Sequence, residues 1–243
     1  MSEATKRALV TGGSGGIGAA ICRQLSAAGH FVYVHANRGR AAADAVVAEI
    51  SAAGGEAGVV CFDVTDAAAT RSALDKLLEH SPIQILVNNA GIHDDAAFPG
   101  MSPQQWHSVI DVAIDGFYNV TQPLMLPMIR TRWGRIVNIS SITGLAGNRG
   151  QVNYAAAKGA LIAATKALSL EVASRGITVN AVAPGIISTN MSSPAFDAEM
   201  IANLVPMKRA GTVLEVASLV RYLTSNDAGY ITGQVISING GII

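Results

Sequence analysis

Seven short apolar segments alternate with longer segments of helical periodicity along the 243 residues, and this alternation limits the folds open to the chain. The predicted strands cover residues 7–11, 30–35, 58–62, 83–87, 134–140, 177–182 and 235–238. The predicted helices cover residues 17–29, 40–53, 67–80, 103–128 with an interruption near Pro123, 154–175 and 214–223. Strands joined in this way by helices form parallel sheets with right-handed crossovers. We therefore predict an α/β fold with a doubly wound, seven-stranded parallel sheet.

The composition fits a single sheet covered by helices. Half of the residues are apolar but only 5% are aromatic, so the core must consist mainly of the aliphatic side chains that parallel strands bury on both faces. A chain of this length can bury a large core without disulfides. Because no linker, repeat or low-complexity stretch interrupts the pattern, we predict one domain over residues 1–243.

Charge and targeting signals argue against several classes of protein. Seventeen basic residues balance seventeen acidic ones, which argues against a general binder of nucleic acids or anionic membranes. No apolar run reaches the length of a transmembrane helix, and the N-terminus is not organised as a signal peptide. The two cysteines have no metal-ligand spacing. We expect a soluble cytoplasmic protein that binds no metal, nucleic acid or membrane.

A glycine-rich segment follows the first predicted strand and opens the first helix. Its residues are Thr11, Gly12, Gly13, Ser14, Gly15, Gly16, Ile17 and Gly18. Glycines let backbone N–H groups approach a phosphate, and the helix N-terminus adds a favourable dipole. Such a turn also occurs in ordinary strand–helix connections, but its place at the first connection favours nucleotide binding. The segment therefore predicts a Rossmann-type fold that binds a dinucleotide.

The end of the second predicted strand selects between the two nicotinamide dinucleotides. An acid there would hydrogen-bond the ribose 2′-hydroxyl of NADH and repel a 2′-phosphate. The chain instead has His35, Ala36, Asn37 and Arg38, and Arg38 can pair with a phosphate. The alternative interpretation of Arg38 is a solvated loop arginine. NADPH is therefore the predicted cofactor.

Two further strand ends border the same predicted crevice. Asp63 and Val64 follow the third strand and either hold the adenine edge or form the N-cap of the next helix. The segment 88–91, Asn-Asn-Ala-Gly, follows the fourth strand, where the ligand crevice of an open parallel sheet lies. Small residues there let a ligand come close to the backbone.

Three polar residues further along the chain suggest proton-transfer chemistry. Ser141 ends the fifth strand, and Tyr154 and Lys158 lie four apart on the next predicted helix, so they share one face. An ammonium beside a phenol favours the phenolate, and a serine hydroxyl can hold a carbonyl oxygen. Such a group can protonate an alkoxide as hydride arrives from a cofactor. A surface Tyr–Lys pair is the alternative, but the phosphate-binding turn and the strand-end serine favour an active site.

These segments together resemble the short-chain dehydrogenase/reductase family, and in particular the bacterial 3-oxoacyl-(acyl-carrier-protein) reductases. The resemblance covers almost the whole chain and rests on Thr11-Gly12-x-x-x-Gly16-x-Gly18, Asp63-Val64, Asn88-Asn89-Ala90-Gly91, Ser141, Tyr154-x-x-x-Lys158, the segment 180–185 and the segment 230–241. It implies that Tyr154 is the general acid, that Lys158 lowers its pKa and binds the nicotinamide ribose, and that Ser141 orients the substrate carbonyl. Together with the residues above, the predicted cofactor-binding set is Gly12, Ser14, Gly15, Gly16, Ile17, Gly18, Asn37, Arg38, Asp63, Val64, Asn89, Ala90, Gly91, Tyr154, Lys158, Pro184, Gly185, Ile187 and Thr189.

The resemblance also implies partners. It implies an acyl-carrier protein that brings the 3-oxoacyl substrate, and a homotetramer or a hetero-oligomer with a related subunit. Such reductases dock an acidic carrier through exposed arginines, and Arg132 and Arg175 fall at matching positions, with Arg130 and Arg135 extending the patch. A solvated helix end is the alternative for each arginine. The irregular segment 186–211 is predicted to form a substrate lid.

Two residues depart from the family pattern. Gly15 stands where NADPH-dependent members often carry a basic residue, so the preference for NADPH rests on Arg38 and the missing acid. Ala113 stands where the family has an active-site asparagine that is thought to hold a water linking the lysine to solvent. Alanine offers no hydrogen bond for that role.

Three hypotheses follow for the function. The first is an NADPH-dependent reductase that converts a 3-oxoacyl thioester on a carrier protein to the 3-hydroxyacyl thioester, in a fatty-acid, polyketide or polyene type of pathway. The second is a related reductase or dehydrogenase of free small ketones or alcohols. The third is a weakly active or non-catalytic cofactor-binding protein that has lost proton delivery at Ala113, although the presence of Ser141, Tyr154 and Lys158 argues against it.

Overall fold

The computed structural model describes residues 5–188 and 198–243. Its strands are β1 (Arg7–Val10), β2 (Phe31–Ala36), β3 (Ala57–Cys61), β4 (Ile85–Asn88), β5 (Gly134–Ile139), β6 (Ile177–Pro184), β7 (Ile187–Ser188), β8 (Gly211–Thr212) and β9 (Val235–Ile238). Seven of them form one parallel sheet in the order β3-β2-β1-β4-β5-β6-β9, while β7 and β8 pair separately. The predicted doubly wound, seven-stranded parallel sheet in a single Rossmann-like domain is confirmed.

Helices cover both faces of the sheet. They are α1 (Gly16–Ala27), α2 (Arg40–Ala52), α3 (Ala67–Leu78), α4 (Pro103–Ile110), α5 (Gly116–Thr131), α6 (Thr143–Ala146), α7 (Val152–Val172), α8 (Ala198–Leu204) and α9 (Val213–Leu223). On one face α1, α2 and α9 pack with Ala8 and Val10 of β1. On the other face α3, α5 and the end of α7 pack with Leu9. Successive residues of β1 thus serve opposite cores, as strand geometry requires.

The long helical region after β4 is interrupted earlier than predicted. The break is a π turn at Asp111–Asp115 between α4 and α5, and Pro123 lies inside α5. The predicted interruption near Pro123 is therefore wrong. A proline removes one backbone donor, but buried Val120 and Leu124 hold this part of α5 against the sheet, and such tertiary packing supplies most helical stability. Single π turns often occur at functional sites, and this one contains Ala113.

The carboxyl ends of β1, β4, β5 and β6 meet at one edge of the sheet, because all four strands are parallel. Just inside that edge, the amide of Asn88 on β4 donates to Asn138 of β5 at 2.9 Å and to Thr121 of α5 at 3.0 Å. Asn138 donates in turn to Thr165 of α7 at 2.8 Å. This buried chain of hydrogen bonds joins β4 and β5 to α5 and α7 just below the ends of the two strands.

Within the part of the chain that the structure describes, no helix combines the length and the apolar character needed to cross a bilayer.

Candidate active site

The glycine-rich turn folds closely against the end of β4. Gly12 adopts a φ of +62°, which glycine tolerates best. Asn89 donates its side-chain N–H to the carbonyl oxygens of Thr11 at 2.9 Å and Gly12 at 3.1 Å. A Cβ on Gly18 would collide with the Gly12 carbonyl oxygen and lie 2.7 Å from Nδ2 of Asn89. These two positions therefore require glycine for different reasons, one for its conformation and one for a close approach.

The first turn of α1 leaves its backbone donors open. Gly15 is the N-cap residue and provides no side-chain cap, and no acidic side chain lies in the first turn. Ser14 and Ile17 are half-buried, whereas Gly15 and Gly16 are exposed. The orphan N–H groups of a helix N-terminus need an acceptor, and a phosphate group there would meet both them and the helix dipole.

At the other end of the crevice the structure brings Asn37 and Asp63 together. The Asn37 amide donates to Oδ2 of Asp63 at 3.2 Å, while Oδ1 of Asp63 accepts from the backbone N–H and the hydroxyl of Thr65. These hydrogen bonds with Thr65 lower the pKa of Asp63, so it stays ionised. The N-cap of α3 is Asp66, which accepts from Ala69 at 2.9 Å. Asp66, and not Asp63, is therefore the N-cap residue of α3.

Arg38 lies exposed beside this acid. The positive charge of Arg38 contributes to the lowered pKa of Asp63. Within residues 5–188 and 198–243, we find no hydrogen bond or ion pair that engages its guanidinium group. Val64 is buried, and its carbonyl accepts from Asn119 of α5 at 2.9 Å. The loop after β3 is thus anchored to α5, while the guanidinium of Arg38 is available to an anionic ligand.

Ser141, Tyr154 and Lys158 meet at the carboxyl edge of the sheet. The side chain of Ser141 is near enough to the phenol of Tyr154 to act on its pKa, and the Ser141 hydroxyl oxygen accepts from the backbone of Thr143 at 3.1 Å. The Lys158 ammonium lies 5.6 Å from the centroid of the Tyr154 ring and donates to the carbonyl of Ile139 at 2.8 Å. A hydroxyl, a phenol and an ammonium therefore converge where β5 ends.

The protonation states of the two titratable groups follow from their burial. Burial is the main cause that raises the pKa of Tyr154, and the carboxylate of Asp95 raises it further, whereas the side chain of Ser141 opposes both. Burial lowers the pKa of Lys158 to about 8. At neutral pH the tyrosine is thus a proton donor and the lysine is still predominantly charged.

The surroundings of Ala113, one of the two residues that depart from the family pattern, are apolar. Ala113 is buried and packs with Val109 of α4 and Ala157 of α7, and the ring of Tyr154 packs against the same cluster. Lys158 instead reaches the Ile139 carbonyl. The lysine is therefore placed by the backbone of β5 and has no amide side chain at position 113 beside it.

A second polar network, which the sequence did not reveal, holds the start of α7. The Asn153 amide donates to the carbonyl oxygens of Asp94 at 2.9 Å and Gln105 at 2.8 Å, and its oxygen accepts from the backbone of Tyr154. Gln151 donates to Asp95 at 2.8 Å. These residues come from three separate segments, so no spacing in the sequence could have grouped them. They fix the turn of helix that carries the tyrosine.

The residues expected to border the nicotinamide lie beside this centre. The Pro184 carbonyl accepts from the backbone of Ile142 at 3.0 Å, and a Cβ on Gly185 would lie 2.8 Å from Cα of Asn239. A Cβ on Gly91 would lie 3.1 Å from the Lys158 ammonium. Ile187 is buried, whereas Thr189 lies outside the described residues.

The predicted lid is described only in part. Within 186–211 the structure shows β7, which pairs with β8, and the helix α8. Residues 189–197 lie outside the described part of the chain. The lid therefore stays a prediction.

The predicted docking arginines lie on the other edge of the sheet. Arg132 and Arg175 are exposed and immediately precede β5 and β6, whereas Ser141 follows β5. Six residues of strand span about 20 Å, so the two features lie roughly one strand length apart. Arg130 is exposed too, but Arg135 is buried and donates to the carbonyls of Ser225, Gly134 and Gly176. Including Arg135 in the patch was wrong, because its guanidinium satisfies buried backbone oxygens.

Comparison with known proteins shows the family of the chain. A family profile described as short chain dehydrogenase matches residues 6–200. The chain belongs to the short-chain dehydrogenase family. Members of this family are oxidoreductases that use NAD(H) or NADP(H), which fits the open glycine-rich turn beside the tyrosine and lysine.

Several curated relatives of this short-chain dehydrogenase are similar over nearly their full length. The 3-oxoacyl-(acyl-carrier-protein) reductase of Aggregatibacter actinomycetemcomitans is 44% identical over 96% of this chain and 98% of the relative. The enzyme of the same name from Synechocystis is 44% identical over 97% of this chain and 96% of the relative. Nodulation protein G of Azospirillum brasilense is 42% identical over 98% of each chain.

Proposed function

We propose that the chain is an NADPH-dependent reductase that converts a 3-oxoacyl thioester carried on an acyl-carrier protein to the 3-hydroxyacyl thioester. The observation that carries this proposal is the convergence of Ser141, Tyr154 and Lys158 at the crevice that also holds the glycine-rich turn. The similarity to 3-oxoacyl-(acyl-carrier-protein) reductases supports the substrate class.

The three residues divide the chemistry of ketone reduction. The Ser141 hydroxyl holds the substrate carbonyl oxygen beside the Tyr154 phenol. When bound, the nicotinamide cofactor supplies a hydride to the carbonyl carbon. Tyr154 then gives its proton to the developing alkoxide, and the Lys158 ammonium stabilises the phenolate that remains. The raised pKa of Tyr154 suits this direction, because the phenol carries its proton at neutral pH.

The cofactor would lie along the carboxyl edge of the sheet. The backbone N–H groups of Gly16 and Ile17 in the first turn of α1 suit the pyrophosphate, with Ser14 and Gly15 directly before them. Asp63 and Val64 would border the adenine, while Asn89, Ala90, Gly91 and Lys158 would border the ribose and nicotinamide. Pro184, Gly185, Ile187 and Thr189 complete the proposed nicotinamide side. These assignments use the residues that the family resemblance suggested, of which Thr189 lies outside the described part of the chain.

The proposed preference for NADPH rests on Arg38, and nearby Arg40 offers a control for testing it. We expect Arg38→Ala to weaken NADPH binding by about ten- to a hundred-fold, since one charge-assisted hydrogen bond is worth roughly 1.5–3 kcal/mol, and to leave NADH binding unchanged. Arg40→Ala is the matched control, because Arg40 is also exposed but pairs with Asp44 at 3.6 Å. Equal effects of Arg38→Ala on NADPH and NADH would contradict the assignment.

The position of the arginines limits how a carrier protein can use them. A carrier held by Arg132 and Arg175 sits at the amino edge, about 20 Å from Tyr154 of the same chain. An oligomer in which a carrier bound to one copy serves another copy would remove this conflict. We infer a homotetramer or a hetero-oligomer of this kind, supported by the exposed side chains of Leu126 and Leu170, which are 62% and 84% accessible. Light scattering in solution measures this state directly.

The deciding experiment compares two thioester substrates. NADPH oxidation is measured with a 3-oxoacyl group on an acyl-carrier protein and on a small thiol, with NADH and Tyr154→Phe as controls. We expect turnover that favours NADPH and falls at least about a hundred-fold in Tyr154→Phe, because a positioned general acid contributes roughly that factor or more. Arg132→Glu with Arg175→Glu should raise KM for the carrier substrate and leave the small thioester unchanged.

The same experiment separates the alternatives. The distance of Arg132 and Arg175 from Tyr154 favours a reductase of free small ketones. In that case, reversing the charge of the two arginines should leave the reaction rates with both thioesters unchanged. A non-catalytic protein predicts tight NADPH binding without turnover. If Ala113→Asn then restored turnover, the loss would lie in proton delivery at that position.

A further inference from the structure

We propose that His35 is a positioning residue that holds the glycine-rich turn in its cofactor-binding shape through the imidazole nitrogen Nδ1. This inference rests on the proposed dinucleotide site but concerns a residue that belongs neither to the predicted cofactor-binding set nor to the proposed catalytic residues. His35 lies on β2, and its side chain is buried, with 2% of the residue accessible.

Both ring nitrogens of His35 have partners of fixed chemistry. The backbone N–H of Gly12 donates to Nδ1 at 3.1 Å, so Nδ1 must be unprotonated. Nε2 lies 2.9 Å from the carbonyl oxygen of Phe62, which can only accept, so Nε2 must carry the hydrogen. The two contacts agree on one neutral tautomer. Burial lowers the pKa of His35 to about 4, which keeps the ring in this form at neutral pH.

The contacts of His35 converge on the turn itself. Its backbone carbonyl accepts from Gly13 at 2.8 Å while its ring accepts from Gly12. The ring in turn packs on Phe62 with a centroid separation of 4.2 Å. Two consecutive N–H groups of the turn are thus tied to β2 and not to solvent. Since Gly12 also adopts positive φ, this bond fixes the residue at which the chain reverses direction.

Three substitutions of His35 separate the acceptor at Nδ1 from the donor at Nε2. An asparagine places its Oδ1 near the site of the histidine Nδ1, so it can still accept from Gly12. A glutamine places its amide nitrogen near the site of Nε2, so it can still donate to Phe62 but offers Gly12 nothing. A leucine offers neither group. Cofactor affinity should therefore follow the acceptor that faces Gly12.

The test is a titration of NADPH into the whole protein, followed by nicotinamide fluorescence, for the wild type and for His35→Asn, His35→Gln and His35→Leu. We expect the dissociation constant to rise about five- to ten-fold in the glutamine and leucine variants, as the loss of one hydrogen bond predicts, and to stay within about two-fold in His35→Asn. At saturating NADPH, kcat with the thioester should stay within about two-fold in all three.

A matched control separates positioning from general stability. Val32→Ala removes buried methyl groups from the same strand without touching the turn, so it should lower the melting temperature and leave NADPH affinity unchanged. The inference would be overturned if all His35 variants bound NADPH equally well. It would also be overturned if Val32→Ala lost NADPH affinity in proportion to its fall in melting temperature, as the His35 variants do. If His35→Leu fails to fold, the comparison of asparagine with glutamine decides. A wild type that binds no dinucleotide would instead refute the proposed function.

Discussion

The contact of Gly144 with helix α7 offers a sharp test of how Ser141 and Lys158 are placed. Gly144 lies on α6, three residues after Ser141, and an added Cβ would stand 2.7 Å from the Lys158 carbonyl carbon and 2.9 Å from the Gly159 backbone nitrogen. These atoms are backbone, so no side-chain rotation relieves the contact. Restoring an ordinary separation of 3.4 Å requires α6 and α7 to move apart by 0.7 Å at this point.

We expect Gly144→Ala to destabilise the protein and slow the reaction. Overpacking of this kind costs roughly 1–3 kcal/mol, which corresponds to about 2–12 °C in melting temperature for a chain of this size. The shift separates Ser141 from Lys158 and Tyr154, and a misplacement of about 1 Å can cost on the order of a hundred-fold in rate. We expect kcat to fall by ten- to a hundred-fold, roughly, measured by NADPH oxidation with a thioester substrate.

Gly159→Ala is the matched control. A Cβ there lies 3.4 Å from the Gly144 carbonyl oxygen, which is an ordinary contact. Alanine in a helix interior gains up to about 1 kcal/mol over glycine, so this variant should be as stable as the wild type or more so, with unchanged kcat. The reasoning is refuted if Gly144→Ala keeps wild-type stability and activity, or if Gly159→Ala loses as much.

Three further predictions concern the same centre. Because burial lowers the pKa of Lys158 to about 8, the kcat/KM for ketone reduction should fall as pH rises through about 8 and the ammonium loses its proton; a flat profile to pH 10 would contradict this. In the reverse, oxidative direction the phenolate of Tyr154 is the base. Asp95→Asn removes a charge that raises the pKa of Tyr154, so it should move the rising limb of the pH–rate profile to lower pH. Asp94→Asn serves as the control and should leave the profile unchanged. Ala113→Asn places an amide among Val109 and Ala157 and should lower the free energy of unfolding by roughly 1–3 kcal/mol, measured by urea denaturation; unchanged stability would show that the amide finds partners there.

The fold was predictable because strand and helix periodicities alternate without ambiguity in most of the chain. The helix boundaries around α4 and α5 were not predictable, since no residue type marks a π turn in a sequence. Pro123 is the stronger helix-breaking signal, but the break lies at Asp111–Asp115. A proline indicates only one missing backbone donor, whereas the location of the break depends on how α4 and the π turn pack against α7. That packing is a tertiary property, and a local pattern cannot encode it.

The same division holds for the candidate site. Tyr154 and Lys158 share a helix face by spacing alone, and the glycine-rich turn is contiguous, so the sequence could predict both. His35, Asn153 and Asp95 act across segments that are far apart in the chain, and His35 looks like any polar residue in a buried strand. For Arg135 the sequence predicted a surface role that the structure does not show. A charged residue close to exposed Arg132 is expected to be exposed as well, but Arg135 is buried.

The placement of Lys158 explains how the centre can hold a buried ammonium without the asparagine of the family pattern. The Ser140 hydroxyl donates to the Lys158 carbonyl at 2.9 Å, and two turns further along α7 Thr165 accepts from Asn138. Both partners lie on or directly after β5, the strand whose Ile139 carbonyl receives the ammonium. The lysine is therefore fixed to one strand by its backbone, by its side chain and by its helix. A buried polar chain of this kind favours one arrangement, and none of these three contacts uses the side chain at position 113.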